Sequence, residues 1–288
     1  MTAQAETTAA AALRMATQRL AGAGITDGAR DVRVLLAHAM GIAADRLTLH
    51  LPDVLTPSIL AAFDAHIGAR AAHQPVAQII GYRMFWGRRF TVSGDTLDPR
   101  PETEVLVAEA IAQPFATMLD LGTGTGCILL SCLADMPMAR GVGADISALA
   151  LAVARANAAD FGLASRAAFI RSDWYAALPG PYDLICANPP YISAAEMQTL
   201  SPDVTQWEPH LALTPGGDGL DAYRQITAGA GARLGTGGRI LLEIGPSQAA
   251  AVTALLADQG FGDIRVISDF DGRDRVVAAV KPGSGLPG

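Results

Sequence analysis

The amino-acid sequence predicts an α/β fold: a doubly wound, mostly parallel sheet, with a small N-terminal helical domain and a β-hairpin linker before it. From Ala116 onward, short apolar runs alternate with helical stretches. The residues before that split into an alanine-rich helical part and a stretch rich in aromatic and β-branched residues. Alternation of strands and helices is typical of a parallel sheet covered by helices on both faces.

The first part of the chain has a helical pattern from about residue 6 to residue 72. The stretch ARDVRVLLAHAMG places Val32, Leu35 and Met40 at helical spacing with Gly41 as a stop, and Thr56 with Pro57 begins another helix. We therefore predict a helical bundle over 1–74. Changes in residue composition and periodicity predict the remaining boundaries. They give a β-hairpin linker over 75–98, the sheet-containing domain over 99–282 and a disordered tail over 283–288.

Composition and charge exclude several classes of function. The formal charge of −7 argues against a protein that neutralises the phosphates of a long duplex. The N-terminus lacks a secretory pattern and no run is long and apolar enough for a membrane span, so we expect a cytoplasmic protein. The three cysteines have no paired metal spacing and the histidines are scattered, which predicts buried, reduced thiols and no metal site.

A glycine-rich stretch, MLDLGTGTGCILL, follows the first predicted strand of the sheet. Gly122, Gly124 and Gly126, separated by Thr123 and Thr125, allow a tight turn in which a ligand reaches main-chain amides. A dinucleotide fingerprint would have its third glycine where this chain has a cysteine, so a nicotinamide dehydrogenase is disfavoured. A purely structural strand-to-helix turn would also use these glycines.

The next two strands end in residues suited to an adenosine. Asp145, about twenty residues after the glycines, suits the two ribose hydroxyls. Asp173 is placed to accept from the adenine amine, and the Trp174 ring to cover the base. A solvated acid or simple packing would explain each residue alone. Together, at the edge where doubly wound sheets bind ligands, they predict an adenosine site.

The fourth strand ends in ICANPPYIS, which contains Asn188, Pro189, Pro190 and Tyr191. An amide or aromatic amine nitrogen is a poor nucleophile because its lone pair is delocalised, so it must be held in line with an electrophile. The Asn188 side-chain oxygen and the Pro189 carbonyl can each accept one N–H proton, while proline stiffens the loop. Tyr191 can stack on the planar group. An ordinary turn is the alternative explanation for the prolines.

This combination resembles the S-adenosylmethionine-dependent methyltransferases with a Rossmann-like fold, whose NPPY-type loop marks enzymes that methylate a planar nitrogen. Asn188 would then also lie beside the cofactor. DNA adenine, RNA and protein glutamine methyltransferases share this loop. The acidic charge and the small helical N-terminus weaken the DNA alternative.

A closer resemblance is to the bacterial release factor glutamine methyltransferases, the PrmC/HemK family. Leu97 to Glu104 fit the family stretch [IL]xPRP[DE]TE, and LDLGTGTG, ANPPYI, EPHLALTPGGDGLDAYRQI and LLEIGPSQ fit as well. Gln78 departs from relatives that carry an aromatic residue there. The resemblance implies methylation of the glutamine side chain in the Gly-Gly-Gln motif of peptide chain release factors, an event of translation termination. S-adenosyl-L-methionine would be the cofactor.

The resemblance also implies partners. The N-terminal bundle would help to bind the release factor, and we expect a monomer that forms no stable complex with nucleic acid. The alternatives are a DNA or RNA exocyclic-amine methyltransferase and a non-catalytic scaffold that only binds the cofactor. The sequence leaves open the roles of five charged residues near the motifs: Arg100, Glu102, Glu104, Arg224 and Glu243.

Overall fold

The computed structural model describes residues 7–283 of the 288-residue chain. These residues form two compact units. The first contains the described residues up to Gly81 together with Ser201–Trp207, and the second contains Tyr82–Leu200 and the described residues from Glu208 onward. The predicted tail, 283–288, lies outside the described residues except for Gly283.

The first unit is helical, as the sequence predicts. Thr56 caps a helix by accepting a hydrogen bond from Ile59 N, with Pro57 in its first turn, and Gly41 ends another helix in the left-handed conformation at φ 67°. Buried leucines such as Leu35 and Leu47 form its core. Its helices before the hairpin are Ala9–Gly22, Gly28–Met40, Pro57–Ala71 and Val76–Ile80, with a 3₁₀ turn over Ala44–His50.

The segment Ser201–Trp207, which includes the short helix Pro202–Thr205, packs within this first unit. Its Asp203 forms ion pairs of 2.8 Å with both Arg70 and His73. Gln78 donates a 3.0 Å hydrogen bond to the Trp207 carbonyl. Sequence reasoning placed this segment inside the domain 99–282. A buried arginine needs anionic partners, and one partner of Arg70, Asp203, comes from this segment, which is distant in sequence.

The β-hairpin belongs to the second unit. Its strands β1 (Tyr82–Phe85) and β2 (Arg88–Thr91) are antiparallel, with Phe85 and Phe90 buried in the hydrophobic core of that unit. The predicted linker over 75–98 is therefore not hairpin throughout, since its first residues form the helix Val76–Ile80.

Within residues 7–283, the second unit contains a seven-stranded sheet in the order β5-β4-β3-β6-β7-β9-β8. The pairs among β3 to β7 are parallel, whereas β9 is antiparallel to both of its neighbours. The predicted doubly wound, mostly parallel sheet is confirmed, although sequence reasoning missed β9. The strands are β3 (Thr117–Leu121), β4 (Arg140–Asp145), β5 (Ala167–Arg171), β6 (Tyr182–Ala187), β7 (Leu234–Glu243), β8 (Gly262–Ser268) and β9 (Asp274–Val280).

Helices cover both faces of the sheet. Successive residues of a strand point to opposite faces, so Met118 packs into one hydrophobic cluster and Leu119 into the other. The first cluster includes the helices Glu104–Ile111 and Cys127–Asp135, and the second includes Asp221–Arg233 and Ala249–Asp258. The remaining helices of this unit are Ala148–Asp160 and His210–Leu213, with 3₁₀ turns over Pro101–Thr103 and Glu196–Thr199.

The strand order reverses between β3 and β6, and this places the functional site. From this point β3, β4 and β5 follow one another toward one edge of the sheet, and β6 and β7 follow one another toward the other edge, although all five strands are parallel. Leu121 at the end of β3 pairs with Ala187 at the end of β6. The glycine turn and the NPPY loop therefore leave adjacent strands at the same level, at the switch point where such sheets bind ligands.

Candidate functional site

A cavity of about 540 Å³ lies at the carboxyl edge of the second unit's sheet. The tips of β3, β4, β5 and β6 all contribute to its wall, as the sequence predicts. Four stretches of chain supply most of its lining: 95–100 with Thr103, 121–125 with Cys127 and Ile128, 144–147 with Ala150, and 172–174. Asn188, Pro190 and residues from 209–225 complete it.

The glycine turn has backbone conformations that side chains disfavour. Gly122, Gly124 and Gly126 have φ values of 68°, 54° and 79°. The turn is fixed from below by Asp120, which accepts a 2.6 Å hydrogen bond from the Thr123 hydroxyl. Burial raises the pKa of Asp120 to about 7. Main-chain amides at this turn are thus held in place before any ligand arrives.

Asp145, predicted to bind a ribose, also stabilises the glycine turn. Its carboxylate accepts hydrogen bonds from Gly124 N at 3.0 Å and from Ser147 N at 2.9 Å. Burial raises its pKa, and the backbone hydrogen bonds oppose that rise. A carboxylate has about four acceptor positions, so lone pairs remain for hydroxyls in the cavity.

Asp173 and Trp174 both line the cavity. Asp173 is exposed, and Trp174 is half-buried at a positive φ of 43°, a conformation that is uncommon outside glycine. The Ser172 hydroxyl donates a 2.8 Å hydrogen bond to the Trp174 carbonyl and so supports this turn. The predicted adenosine contacts are thus brought to one cavity.

The NPPY loop is divided between the cavity and the protein interior. Asn188 donates a 3.3 Å hydrogen bond from Nδ2 to the Thr103 hydroxyl oxygen. Asn188 and Pro190 line the cavity, whereas among the described residues its lining includes neither Pro189 nor Tyr191. Pro189 is buried, and the Tyr191 ring packs against the second hydrophobic cluster, where burial raises its pKa to about 12.

Comparison with known proteins identifies the family. Residues 11–81 match the family model of the PrmC N-terminal domain, and residues 91–218 match that of the methyltransferase small domain. The chain is 60% identical to the release factor glutamine methyltransferase of Cereibacter sphaeroides over 95% of its own length and 99% of the relative. The chain belongs to the release factor glutamine methyltransferase family.

Other relatives agree with this assignment. The release factor glutamine methyltransferase of Rhodospirillum rubrum is 42% identical, with 93% of this chain and 83% of that protein covered. Among solved structures, a methyltransferase from Pyrococcus furiosus superimposes with a TM-score of 0.54 at 15% identity, covering 76% of this chain and 98% of the other. That likeness concerns the fold alone, a Rossmann-like methyltransferase fold.

The stretch LDPRPETE, on which the resemblance to the release factor glutamine methyltransferase family rests, lies at the cavity. Arg100 lines it and forms a 2.5 Å ion pair with Glu208, whose side chain is buried. Asp98 also lines it and is only 4% exposed. Within residues 7–283, Asp98 Oδ1 has no hydrogen-bond partner, and burial raises the pKa of this carboxyl against the effect of Arg100.

Sequence reasoning missed Asp98, Thr103 and Glu208 as site residues. Other acidic and hydroxyl side chains lie close to these three residues in the sequence. No local sequence pattern shows which of these polar side chains become buried. The signal that could have found them is their position within the family stretches LDPRPETE and EPHLAL.

The remaining charged residues of the motifs have separate surroundings. Glu104 accepts a 2.7 Å hydrogen bond from Trp86 N and so binds the hairpin. Arg224 lines the cavity and pairs with Asp218 and Asp221. Glu102 is exposed, and Glu243 is buried beneath the cavity wall, where burial raises its pKa to about 7.

The sequence predicts buried thiols, and this is correct for Cys132 and Cys186, whereas Cys127 is only partly buried and lines the cavity. Cys132 and Cys186 are buried, and all three thiols are free. Burial raises the pKa of Cys127, the thiol nearest the cavity, to about 12, which leaves it unreactive near neutral pH. Among residues 7–283 there is no group of three or more acidic, histidine or cysteine side chains placed to hold a metal ion. No helix in that same range is both long and apolar enough to span a membrane.

Proposed function

We propose that this protein transfers a methyl group from S-adenosylmethionine to the side-chain amide nitrogen of the glutamine in the Gly-Gly-Gln motif of peptide chain release factors. One observation carries the proposal. The Asn188 amide, which is hydrogen-bonded to Thr103, and the glycine turn lie at the ends of two adjacent strands and line the same cavity. Family membership supports the same reaction.

The cavity residues fit the proposed cofactor. Amides of Gly122 to Gly126, the Asp145 carboxylate, and Asp173 with Trp174 would hold the adenosine part. The unpartnered oxygen of buried Asp98 would accept a hydrogen bond from the ammonium group of the methionine part. When bound, the cofactor supplies an electrophilic methyl group on a sulfonium.

The NPPY loop would orient the substrate nitrogen. The Asn188 side-chain oxygen and the Pro189 carbonyl would each accept one N–H proton of the glutamine amide. As positive charge develops on that nitrogen, its protons become more acidic and these hydrogen bonds strengthen, which stabilises the transition state more than the ground state. Tyr191 is also proposed to stack on the planar amide, although its ring packs against the second hydrophobic cluster and does not belong to the cavity lining.

The reaction needs no strong general base, because a methylated, cationic amide loses its proton to water readily. Cys186, one residue before the end of β6, is buried in the core, and burial raises its thiol pKa well above the ordinary value. A covalent route through this thiol is therefore not part of the proposal.

We further propose that the N-terminal region, 1–74, contacts the release factor, that the region 99–282 performs the transfer and that the protein acts in the cytoplasm as a monomer. The DNA or RNA amine alternative uses the same NPPY chemistry. The net charge of −7 disfavours this alternative, because binding to nucleic acid needs positive charge opposite the phosphates.

A labelling experiment tests the proposed function. The protein is incubated with methyl-labelled S-adenosylmethionine and a release factor, the same release factor with Gln→Asn in its Gly-Gly-Gln motif, or duplex DNA. We expect one methyl group on the glutamine, measured by peptide mass, and none on the Asn variant. Label on DNA would favour the amine alternative, and label on no acceptor would favour a scaffold that only binds the cofactor.

A further inference from the structure

Among the described residues, Gln248 lies outside the cavity lining, yet it is hydrogen-bonded to the NPPY loop. Its Nε2 donates to the Tyr191 carbonyl at 2.9 Å and, at the longer distance of 3.4 Å, to the Gly219 carbonyl. Its Oε1 accepts from Gly245 N at 3.0 Å. Gln248 immediately precedes the helix Ala249–Asp258. One half-buried side chain therefore joins three loops of the second unit.

The orientation of the Gln248 amide is fixed by backbone groups whose roles cannot be exchanged. A backbone N–H only donates and a carbonyl oxygen only accepts, so Oε1 must face Gly245 and Nε2 must face Tyr191. With the amide reversed, two donors would meet at Gly245 and two acceptors at Tyr191. This assignment involves no hydroxyl group and no titratable group. Gln248 therefore presents its donors to the NPPY loop.

The NPPY loop has few backbone donors of its own. Its two prolines carry no N–H, so the loop must be held through its carbonyl oxygens or through the residues that follow. The Tyr191 carbonyl is held by Gln248, and Ile192 N donates to Leu213 O at 3.0 Å. These two hydrogen bonds fasten the chain directly after the prolines. They therefore limit where the carbonyl of the first proline, a proposed acceptor for the substrate, can lie.

Two glycines leave room for this arrangement. A Cβ at Gly219 would overlap the Tyr191 carbonyl oxygen and lie 3.1 Å from Gln248 Nε2. A Cβ at Gly245 would lie 3.0 Å from Gln248 Oε1 and 3.4 Å from Tyr191 Cδ2. A side chain at position 219 would thus displace the loop carbonyl, and one at position 245 would crowd the amide. The hydrogen bonds of Gln248 depend on the close approach of these two glycines.

We infer that Gln248 is a positioning residue that holds the NPPY loop, through the Tyr191 carbonyl, where the substrate amide can bind in line with the methyl group. The inference rests on the proposed function for its kinetic consequence, whereas the hydrogen bonds are a property of the protein alone. Gln248 itself contacts neither substrate nor cofactor. The Gly219 carbonyl, bound by the same NH₂ group, belongs to the segment that continues into the cavity wall at Asp221 and Arg224. One amide therefore holds two parts of the site together.

Gln248→Glu tests the inference with almost no change of shape. The carboxylate can still accept from Gly245 N, but it has no proton for the Tyr191 carbonyl, so two acceptors face each other. We expect kcat for a release factor to fall about 10- to 100-fold, because small displacements of positioned groups have effects of that order. The Kd for S-adenosylmethionine should stay within about threefold. The matched control is Gln259→Glu, exposed at the other end of the same helix, which should keep the wild-type kcat.

A second pair of variants changes the same contact from the neighbouring turn. Gly219→Ala places a methyl group against the Tyr191 carbonyl oxygen, whereas Gly216→Ala places one in open space. The two glycines have φ values of 79° and 82°, so the backbone strain of the two variants is similar. We expect only Gly219→Ala to lower kcat, by about 10-fold or more. Equal kcat values for the two variants would overturn the inference, and this comparison does not depend on the folding of Gln248→Glu.

A readout that does not depend on catalysis separates this inference from the proposed function. Tyr191 and Ile192 form the only Tyr-Ile pair in the chain, so protein labelled with ¹³C-carbonyl tyrosine and ¹⁵N-isoleucine gives one correlated amide signal. A hydrogen bond to a carbonyl oxygen deshields the carbonyl carbon. We therefore expect the Tyr191 carbonyl signal to move upfield in Gln248→Glu and to keep its position in Gln259→Glu.

The two kinds of measurement fail separately. An unchanged Tyr191 carbonyl signal in Gln248→Glu, or a kcat for that variant within about threefold of wild type, would overturn the positioning role. A wild-type protein that methylates no release factor, but whose Tyr191 carbonyl signal still depends on Gln248, would disprove only the proposed function.

Discussion

The side chain of Asn157 donates a 2.9 Å hydrogen bond to the backbone carbonyl of Thr125, in the middle of the glycine turn. The same amide accepts from Thr91 N at 2.8 Å and donates to Thr91 O at 3.1 Å. Asn157 is fully buried, so these bonds have no competition from water. One side chain in the helix Ala148–Asp160 therefore joins the β-hairpin to the turn that is proposed to bind the cofactor.

Asn157→Ala should lower the free energy of unfolding by about 3 kcal/mol, because it leaves buried backbone groups at Thr91 and Thr125 without partners. Urea denaturation followed by intrinsic fluorescence measures this change. The exposed Asp160→Ala in the same helix is the control and should change the value by less than about 0.5 kcal/mol. A similar loss in both variants would mean that the buried amide hydrogen bonds are not responsible, since alanine favours the helix at both positions.

Asn188→Ala should affect catalysis far more than cofactor binding. Loss of one preorganised acceptor is expected to lower kcat about 100-fold or more, while the Kd for S-adenosylmethionine stays within about threefold. Steady-state methylation of a release factor and calorimetric titration with the cofactor measure the two quantities. If turnover survives nearly intact while cofactor binding collapses, the role assigned to Asn188 is wrong.

Asp98→Asn should weaken binding of S-adenosylmethionine about 10- to 150-fold, since a buried hydrogen bond between charged groups contributes about 1.5–3 kcal/mol. Titration with methylthioadenosine, which has the adenosine part but no ammonium group, provides an internal comparison. Its Kd should be the same for wild type and variant. Equal losses for both ligands would show that Asp98 supports the cavity wall rather than the ammonium.

The buried acid Asp120 should give the protein a pH-dependent stability. Its pKa rises from 3.8 to about 7 on folding, so between these values the folded state binds more protons than the unfolded state. The free energy of unfolding therefore falls as the pH rises through this window, by at most about 1.4 kcal/mol per pH unit for the group. Urea midpoints between pH 5 and pH 7 should fall less in Asp120→Asn than in wild type. A larger fall in the variant would contradict the assigned sign.

The strand tips of the site could be predicted from sequence because each depends on a local pattern. The run TMLDLG followed by glycines ends a buried strand, and ANPPY ends another. Once such strands are parallel, their carboxyl ends meet at one edge. Residues Gly122, Asp145 and Asn188 accordingly reach one cavity in the structure. The missed strand β9 follows β8 with no helix between them, so the alternation of strands and helices did not reveal it.

The sequence by itself determined the alternating fold, the polar strand ends that line the cavity and the family. The tertiary structure alone decided which polar groups support them. Thr103 and Asn188 are 85 residues apart, and Asp203 reaches Arg70 across a longer separation still. Such contacts depend on which side chains are buried together and which buried donors and acceptors need a partner there. That requirement arises only when the strands have assembled and water has been excluded.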